Sequence, residues 1–132
     1  MKFSEHAILL GSTFPLMLIR RRVVIEPVAV DTLRRQLVMR QVVSFWGHAN
    51  TVAVANALLG IEVAPETVRP ALTTTPEGYP ALVDHVFDEC WILSPDYAPG
   101  FRPAIGEEVT PDKIIGWQTL RLKWEELDNA GY

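Results

Sequence analysis

The stretch VVSFWGHANTVAVANALLGIEV, residues 42–63, constrains the fold of this chain more than any other. Its first five residues are apolar with little alternation, the pattern of a central strand covered on both faces. Gly47 breaks the run, and HANTVAVANALL (48–59) then reads as an apolar helix closed by Gly60, a residue suited to a C-terminal cap. A buried strand turning directly into a buried helix belongs in a sheet that is at least partly parallel, with helices packed against it.

The flanking segments agree. HAILLGS (6–12) and RVVIEP (22–27) read as strands, the second stopped by Pro27, and Pro15 makes TFPLMLIRR a turn rather than a helix. AVDTLRRQLVMRQ (29–41) has helical spacing, with Val30, Leu33, Leu37 and Val38 on one face. In the second half VRPALTTT (68–75) and HVFDECWILS (85–94) read as strands around a turn-rich surface loop or flap, TPEGYPALVD. In the latter strand, alternation places Phe87, Trp91, Leu93 and Glu89 opposite Asp88, Cys90 and Ile92. PDYAPGFRPAIGEE (95–108) reads as an irregular ordered loop, TPDKII (110–115) as a short helix, and WQTLRLKWE (117–125) as a charged edge strand. The expectation is one domain over residues 1–132, of α/β class, with a mixed sheet of about five or six strands flanked by helices.

A chain of 132 residues, 48% of them hydrophobic, has the means to bury one core. The net charge of −4 and a pI near 5.3 speak against long nucleic acid as a partner, because a polyanion calls for a basic face; a small anionic ligand stays open. The single cysteine, Cys90, has no internal disulfide partner, which fits a reducing compartment. MKFSEHAILL lacks the pattern of a signal peptide, and the apolar runs fall short of the roughly 18 residues of a membrane span. These features predict a cytoplasmic protein with no membrane partner.

His48 follows Gly47 where strand becomes helix, with Asn50 and Thr51 on the first turn. Glycine there lets a ligand approach the backbone, and the free amides of a first helical turn attract an anion. Beside a phosphodiester a histidine can protonate a leaving oxygen without a metal. A histidine that packs in the core or caps its helix is the other reading, and spacing leaves both open.

The string SFWGHANTVAVANALLG resembles the Ser-x-x-Gly-His-x-x-Thr-Ala-x-x-x-x-x-x-Leu-Gly signature of the viral type III anti-CRISPR ring nucleases, with Ser44, Gly47, His48, Thr51, Leu59 and Gly60 in place and Val52-Ala53 departing from the Thr-Ala pair. ILLGSTFPLML is similar to that family's first strand and loop, and VVIEPVAVDTLRRQL to its second strand and first helix. GIEVAPETVRPAL resembles the segment ending in a family arginine, here Arg69, and GFRPAIGEEV an Arg-Leu-Pro-Glu-Gly loop, here with Arg102. The resemblance implies a homodimer, in the host cytoplasm if viral, that holds cyclic tetra-adenylate across its two-fold axis and cuts it into linear di-adenylates. No metal or cofactor takes part: a ribose 2′-hydroxyl attacks the phosphorus and the histidine, here His48, protonates the departing 5′ oxygen. Gly47, Asn50, Thr51, Arg69 and Arg102 are then ligand-binding residues.

Two departures stand out. The family's loop glutamate falls on Ala104 or Ile105, leaving Glu107, or Glu108 beside it, as a substitute or as an exposed acidic turn. Its first-loop serine aligns with Phe14, so Ser12 or Thr13 would supply the hydroxyl. The missing glutamate leaves a non-catalytic sponge for the nucleotide as an alternative, and a dimeric interaction protein that has lost the ligand as another. The remaining polar groups read as structural: on a strand His85 and Asp88 point to opposite faces, so they and Glu89 make no metal site. Arg20–Arg22 read as a solvated turn, and His6 and Cys90 have no nucleophile pattern. Among the aromatics, Trp91, Trp117 and Trp124 suit a core or interface, while Trp46, and after it Tyr97, are candidates to stack on an adenine.

Overall fold

Five apolar residues in a row, Ala7–Gly11, cannot hide on one face of a strand, and the chain resolves this by burying both. In the computed structural model, which describes residues 3–45, 55–60, 72–82, 84–102 and 109–125, they form β1, buried at every position. β2 (Val23–Val28), α1 (Val30–Met39) and β3 (Gln41–Ser44) follow. β3 lies parallel to β1, Ala7 opposite Gln41 and Leu10 opposite Ser44. On the other side of β1 runs β7 (Glu89–Tyr97), also parallel, with Leu10 opposite Trp91 and Gly11 opposite Ile92. β8 (Ile114–Trp124) is antiparallel to β7, and β2 antiparallel to β8, so the sheet order is β2-β8-β7-β1-β3. The short strands β4 (Thr73–Thr74), β5 (Pro80–Leu82) and β6 (His85–Val86) make a separate antiparallel sheet. The fold is thus a single small α/β domain with a mixed sheet, as the sequence predicts.

Alternation along β1 and β7 sorts their side chains into two cores. Ile8, Leu10, Trp91 and Leu93 face Leu33 and Leu37 of α1 and Ala55 and Leu59 of the helical residues 55–59. Ala7, Leu9, Cys90 and Ile92, with Leu122 and Trp124 of β8, pack with Leu82 of the smaller sheet and with Tyr79 and Phe87 beside its strands. Each fully buried Leu or Ile contributes about 1.5–3 kcal/mol, so both layers matter to stability. Gly60, at φ 69° and donating its amide to the Asn56 carbonyl, ends the helical residues as expected.

The structure corrects several expectations. β7 is the central strand and, with β1, is covered on both faces, whereas β3 is the sheet edge and only half-buried. WQTLRLKWE is not an edge either: all but Glu125 lies in β8, between β2 and β7, and its cations meet carboxylates from those neighbours, Arg121 with Glu26 of β2 and Glu89 of β7 and Lys123 with Asp88 just before β7. The helix expected over 110–115 is a 3-10 turn, Pro111–Lys113, before β8. The strand read over 85–94 breaks at Phe87–Asp88, which shifts the phase and puts Phe87 on the Cys90 face. Pro95 does not stop β7, and the expected loop 75–84 contains β5, with Tyr79, Pro80 and Leu82 buried. Val38 leaves the apolar face of α1 and is 78% exposed. Pro27 does not end β2. The Glu125 amide donates to the Arg22 carbonyl, and antiparallel alternation then turns the N–H and C=O positions of Val23, Ile25 and Pro27 away from β8. A proline there on an edge strand gives up no ladder bond, and it blunts the open edge.

Candidate functional site

In open α/β sheets ligands bind beyond the carboxyl ends of the parallel strands. Here those ends belong to β1 and β3. β1 runs out at Gly11 into Ser12, Thr13 and Phe14, and β3 at Ser44 into Phe45, whose amide donates to the Leu10 carbonyl. The two exits are locked together: a Cβ on Gly11 would fall on the Phe45 ring, and Phe45 meets Phe14 edge-on with centroids 6.1 Å apart. The absence of a side chain at Gly11 is what admits the ring.

β7 and β8 continue past this point. Beyond Gly11 opposite Ile92 on one side and Val28 opposite Thr119 on the other, they form a two-stranded arm in which Pro95 faces Trp117, Asp96 faces Gly116 and Tyr97 faces Ile114. Ser94 Oγ donates to the Ser12 carbonyl at 2.5 Å and pins the arm to the β1 loop. At its end Ala98-Pro99-Gly100-Phe101 makes a turn with Gly100 at φ 81° and the Phe101 amide on the Ala98 carbonyl at 3.0 Å. Proline then left-handed glycine is the type II sequence. The Ala98 amide also donates to the Lys113 carbonyl at 2.8 Å. Phe101 is half-buried against Tyr97, Lys113 Nζ sits 5.5 Å from the Phe101 centroid, and Arg102 is exposed.

Of the ligand-site candidates singled out from sequence, Ser12, Thr13, Tyr97 and Arg102 are described, and all stand on this side of the sheet, Tyr97 at the end of β7 with its ring against Phe101. Ser12 is buried and Thr13 exposed, so Thr13 offers the accessible hydroxyl. Arg102 follows the far end of β7, and the strand from Ile92 to Tyr97 spans about 16 Å, so it and Thr13 occupy different levels. Trp46, Gly47, His48, Asn50, Thr51, Arg69, Ala104, Ile105, Glu107 and Glu108 lie outside the described residues. Sequence reasoning missed Ser94 and Phe101. The Pro99-Gly100 pair was the available signal for the second; the first had none, since Ser94 depends on a contact across 82 positions.

Elsewhere Glu89 of β7 and Arg121 and Lys123 of β8 pair with one another, with Arg40 after α1, with Asp88 before β7 or with Glu26 of β2. Glu89 is buried between Arg40 Nη1 at 2.5 Å and Arg121, whose Nε lies at 3.0 Å and Nη2 at 2.9 Å, and Arg40 Nη2 also donates to the Ala7 carbonyl. Burial alone would raise the Glu89 pKa, but the two guanidinium groups outweigh it and hold the carboxyl below its ordinary value. Asp88 pairs with Lys123 at 2.6 Å, and His85 Nδ1 meets Ser4 Oγ at 3.0 Å, so His85, Asp88 and Glu89 go to three separate partners. Cys90 is fully buried, which pushes its thiol pKa well up and opposes a nucleophilic role. Arg21 donates to the Glu77 carbonyl and lies over the Tyr79 ring, and Arg22 pairs with Glu125. Arg20 lines an open groove of about 500 Å³ with Leu18, Leu72, Thr73–Thr75 and Pro76, on the smaller-sheet side. Trp91 and Trp124 are core residues, and Trp117 packs against the helix-side core. No α-helix among the described residues is long and apolar enough to cross a membrane.

Comparison of the chain with protein-family models finds no match, and comparison with curated protein sequences finds none either.

Proposed function

We propose that this protein binds and cleaves a cyclic oligoadenylate, cyclic tetra-adenylate foremost, by metal-independent phosphodiester cleavage, and so counters type III CRISPR signalling. The reading starts from the Gly47-His48 resemblance. The observation that supports it is placement on one side of the sheet: the first-loop hydroxyls and the strand leading to Gly47-His48 leave the carboxyl end of the parallel strands, and Arg102 follows the arm that extends about 16 Å beyond that end. The ligand's own 2′-hydroxyl attacks the adjacent phosphorus, a 2′,3′-cyclic phosphate forms, and the bond to the 5′ oxygen breaks. His48 gives that oxygen its proton. The amides after Gly47, with Asn50 and Thr51, hold the phosphate, Arg69 and Arg102 neutralise it, and Ser12 or Thr13 supplies a hydroxyl. Glu107 takes the place of the loop glutamate. Two copies of the chain enclose the ring.

The test is incubation of the purified protein with cyclic tetra-adenylate and chromatography of the products, with and without a chelator. General acids contribute about 10²- to 10⁴-fold, so His48→Ala should stay folded, bind the ring nearly as well and lose most cleavage. Cleavage near the wild-type rate in that variant would make His48 structural. A second reading, a sponge that sequesters the nucleotide, is favoured by Ala104 and Ile105 standing where the loop glutamate is expected; tight binding by a wild-type protein that cleaves nothing would establish it.

A further inference from the structure

The end of the β7–β8 arm carries more aromatic surface than a hairpin tip needs. Exposed turns are ordinarily built from small and polar residues, yet Tyr97 and Phe101 meet here with centroids 5.7 Å apart at 66°, away from both cores. The turn closes on itself through the Phe101 amide to the Ala98 carbonyl and is tied to the neighbouring segment through the Ala98 amide to the Lys113 carbonyl, and the ring rests against Tyr97, so it is positioned before any ligand arrives. Its electron-rich face attracts the Lys113 ammonium, and the exposed Arg102 comes next in the chain.

We propose that Phe101 is a stacking platform for one adenine of the bound nucleotide, with Lys113 and Arg102 meeting the phosphate beside it; this rests on the cyclic-oligoadenylate reading above. A purine is flat and stacks on an aromatic face whatever its hydrogen-bonding edge, and a pre-positioned ring costs little ordering. As the base takes the ring face, the Lys113 ammonium moves from it to the phosphate. Burial raises the Tyr97 hydroxyl pKa above its ordinary value, so Tyr97 supports Phe101 as a neutral ring near the anion.

Calorimetric titration of cyclic tetra-adenylate, with the recovered ligand analysed by chromatography, tests this in the wild type, Phe101→Leu and Phe101→Trp, each checked for folding by circular dichroism. Leucine keeps apolar packing and loses the stacking face, so its Kd should rise about 5- to 150-fold, while tryptophan should bind as tightly as the wild type or more tightly. Lys113→Met should weaken binding as well. If the wild type binds and Phe101→Leu binds equally, the platform is wrong and the nucleotide reading stands. Equal weakening by Leu and Trp overturns the platform too, because packing of the arm would then be the cause. A wild type that binds no cyclic tetra-adenylate removes the nucleotide reading itself, and the platform with it.

Discussion

At the scale of single residues, the ion pairs at one end of the sheet and the open groups at the other behave differently. Glu89 sits between two guanidinium groups with little access to water, so removing its charge leaves Arg40 buried without its partner. Glu89→Gln should cost on the order of 3 kcal/mol, read from denaturant unfolding. The pH dependence has a definite sign. The folded-state pKa of Glu89 lies below its ordinary value of 4.5, so the pair's contribution is complete above pH 4.5 and is lost as the pH falls through the lowered native value. Acid unfolding of Glu89→Gln should therefore be less steep than that of the wild type in this range, and equal steepness would contradict it. Arg102 is exposed, and its loss should leave stability within about 0.5 kcal/mol. Arg102→Ala should weaken cyclic tetra-adenylate binding about 10-fold or more, since a charged hydrogen bond contributes about 1.5–3 kcal/mol. Unchanged affinity in a titration would show that this arginine is not a ligand contact.

At the scale of elements, the exits of β1 and β3 are one packed unit. Gly11→Ala puts a methyl group on the Phe45 ring, and this overpacking should cost about 1–3 kcal/mol. Trimming the ring with Phe45→Leu in the same chain should relieve part of that, so a double-mutant cycle should give a combined cost below the sum of the single costs. Strict additivity would mean that the two do not meet. Because Phe45 leads into Gly47-His48, Gly11→Ala should also slow cleavage of cyclic tetra-adenylate in protein that is still folded. The elements themselves were legible where the pattern was local: β1, β2 and α1 follow from apolar runs, spacing and turn residues. Errors came where partners decide. Charges on β8 read as exposure because their carboxylate partners lie on β2, on β7 and just before β7, far away in sequence.

At the scale of the whole molecule, the proposed homodimer is tested on the helix layer. The sequence 48–59 has few polar residues, and on the layer that α1 shares with Ala55 and Leu59, Val38 and Met39 are 78% and 72% exposed. Apolar surface left on a helix layer is commonly covered by a second copy. Light scattering at micromolar concentration should give twice the 14.8 kDa chain mass, and a monomer mass would refute the dimer.

By itself the amino-acid sequence determined the class of the fold, a mixed sheet with helices, and the apolar runs and helical face that build it, because period and turn chemistry are local properties of the chain. It also pointed to Gly47-His48, since glycine before a helix start has a local meaning. The separate three-stranded sheet appeared only in the structure. The order of the strands was decided only in the tertiary structure: β7 took the centre and β3 the edge because both are apolar, and only the packed neighbours on each face distinguish them. The same holds for the arm. Pro95 and Pro99-Gly100 read as an irregular loop, but pairing with β8 carries the strand to Tyr97 and leaves only the turn at its end, where Phe101 is displayed. Long-range hydrogen bonds and burial settled those placements, and neither is written in any single stretch of residues.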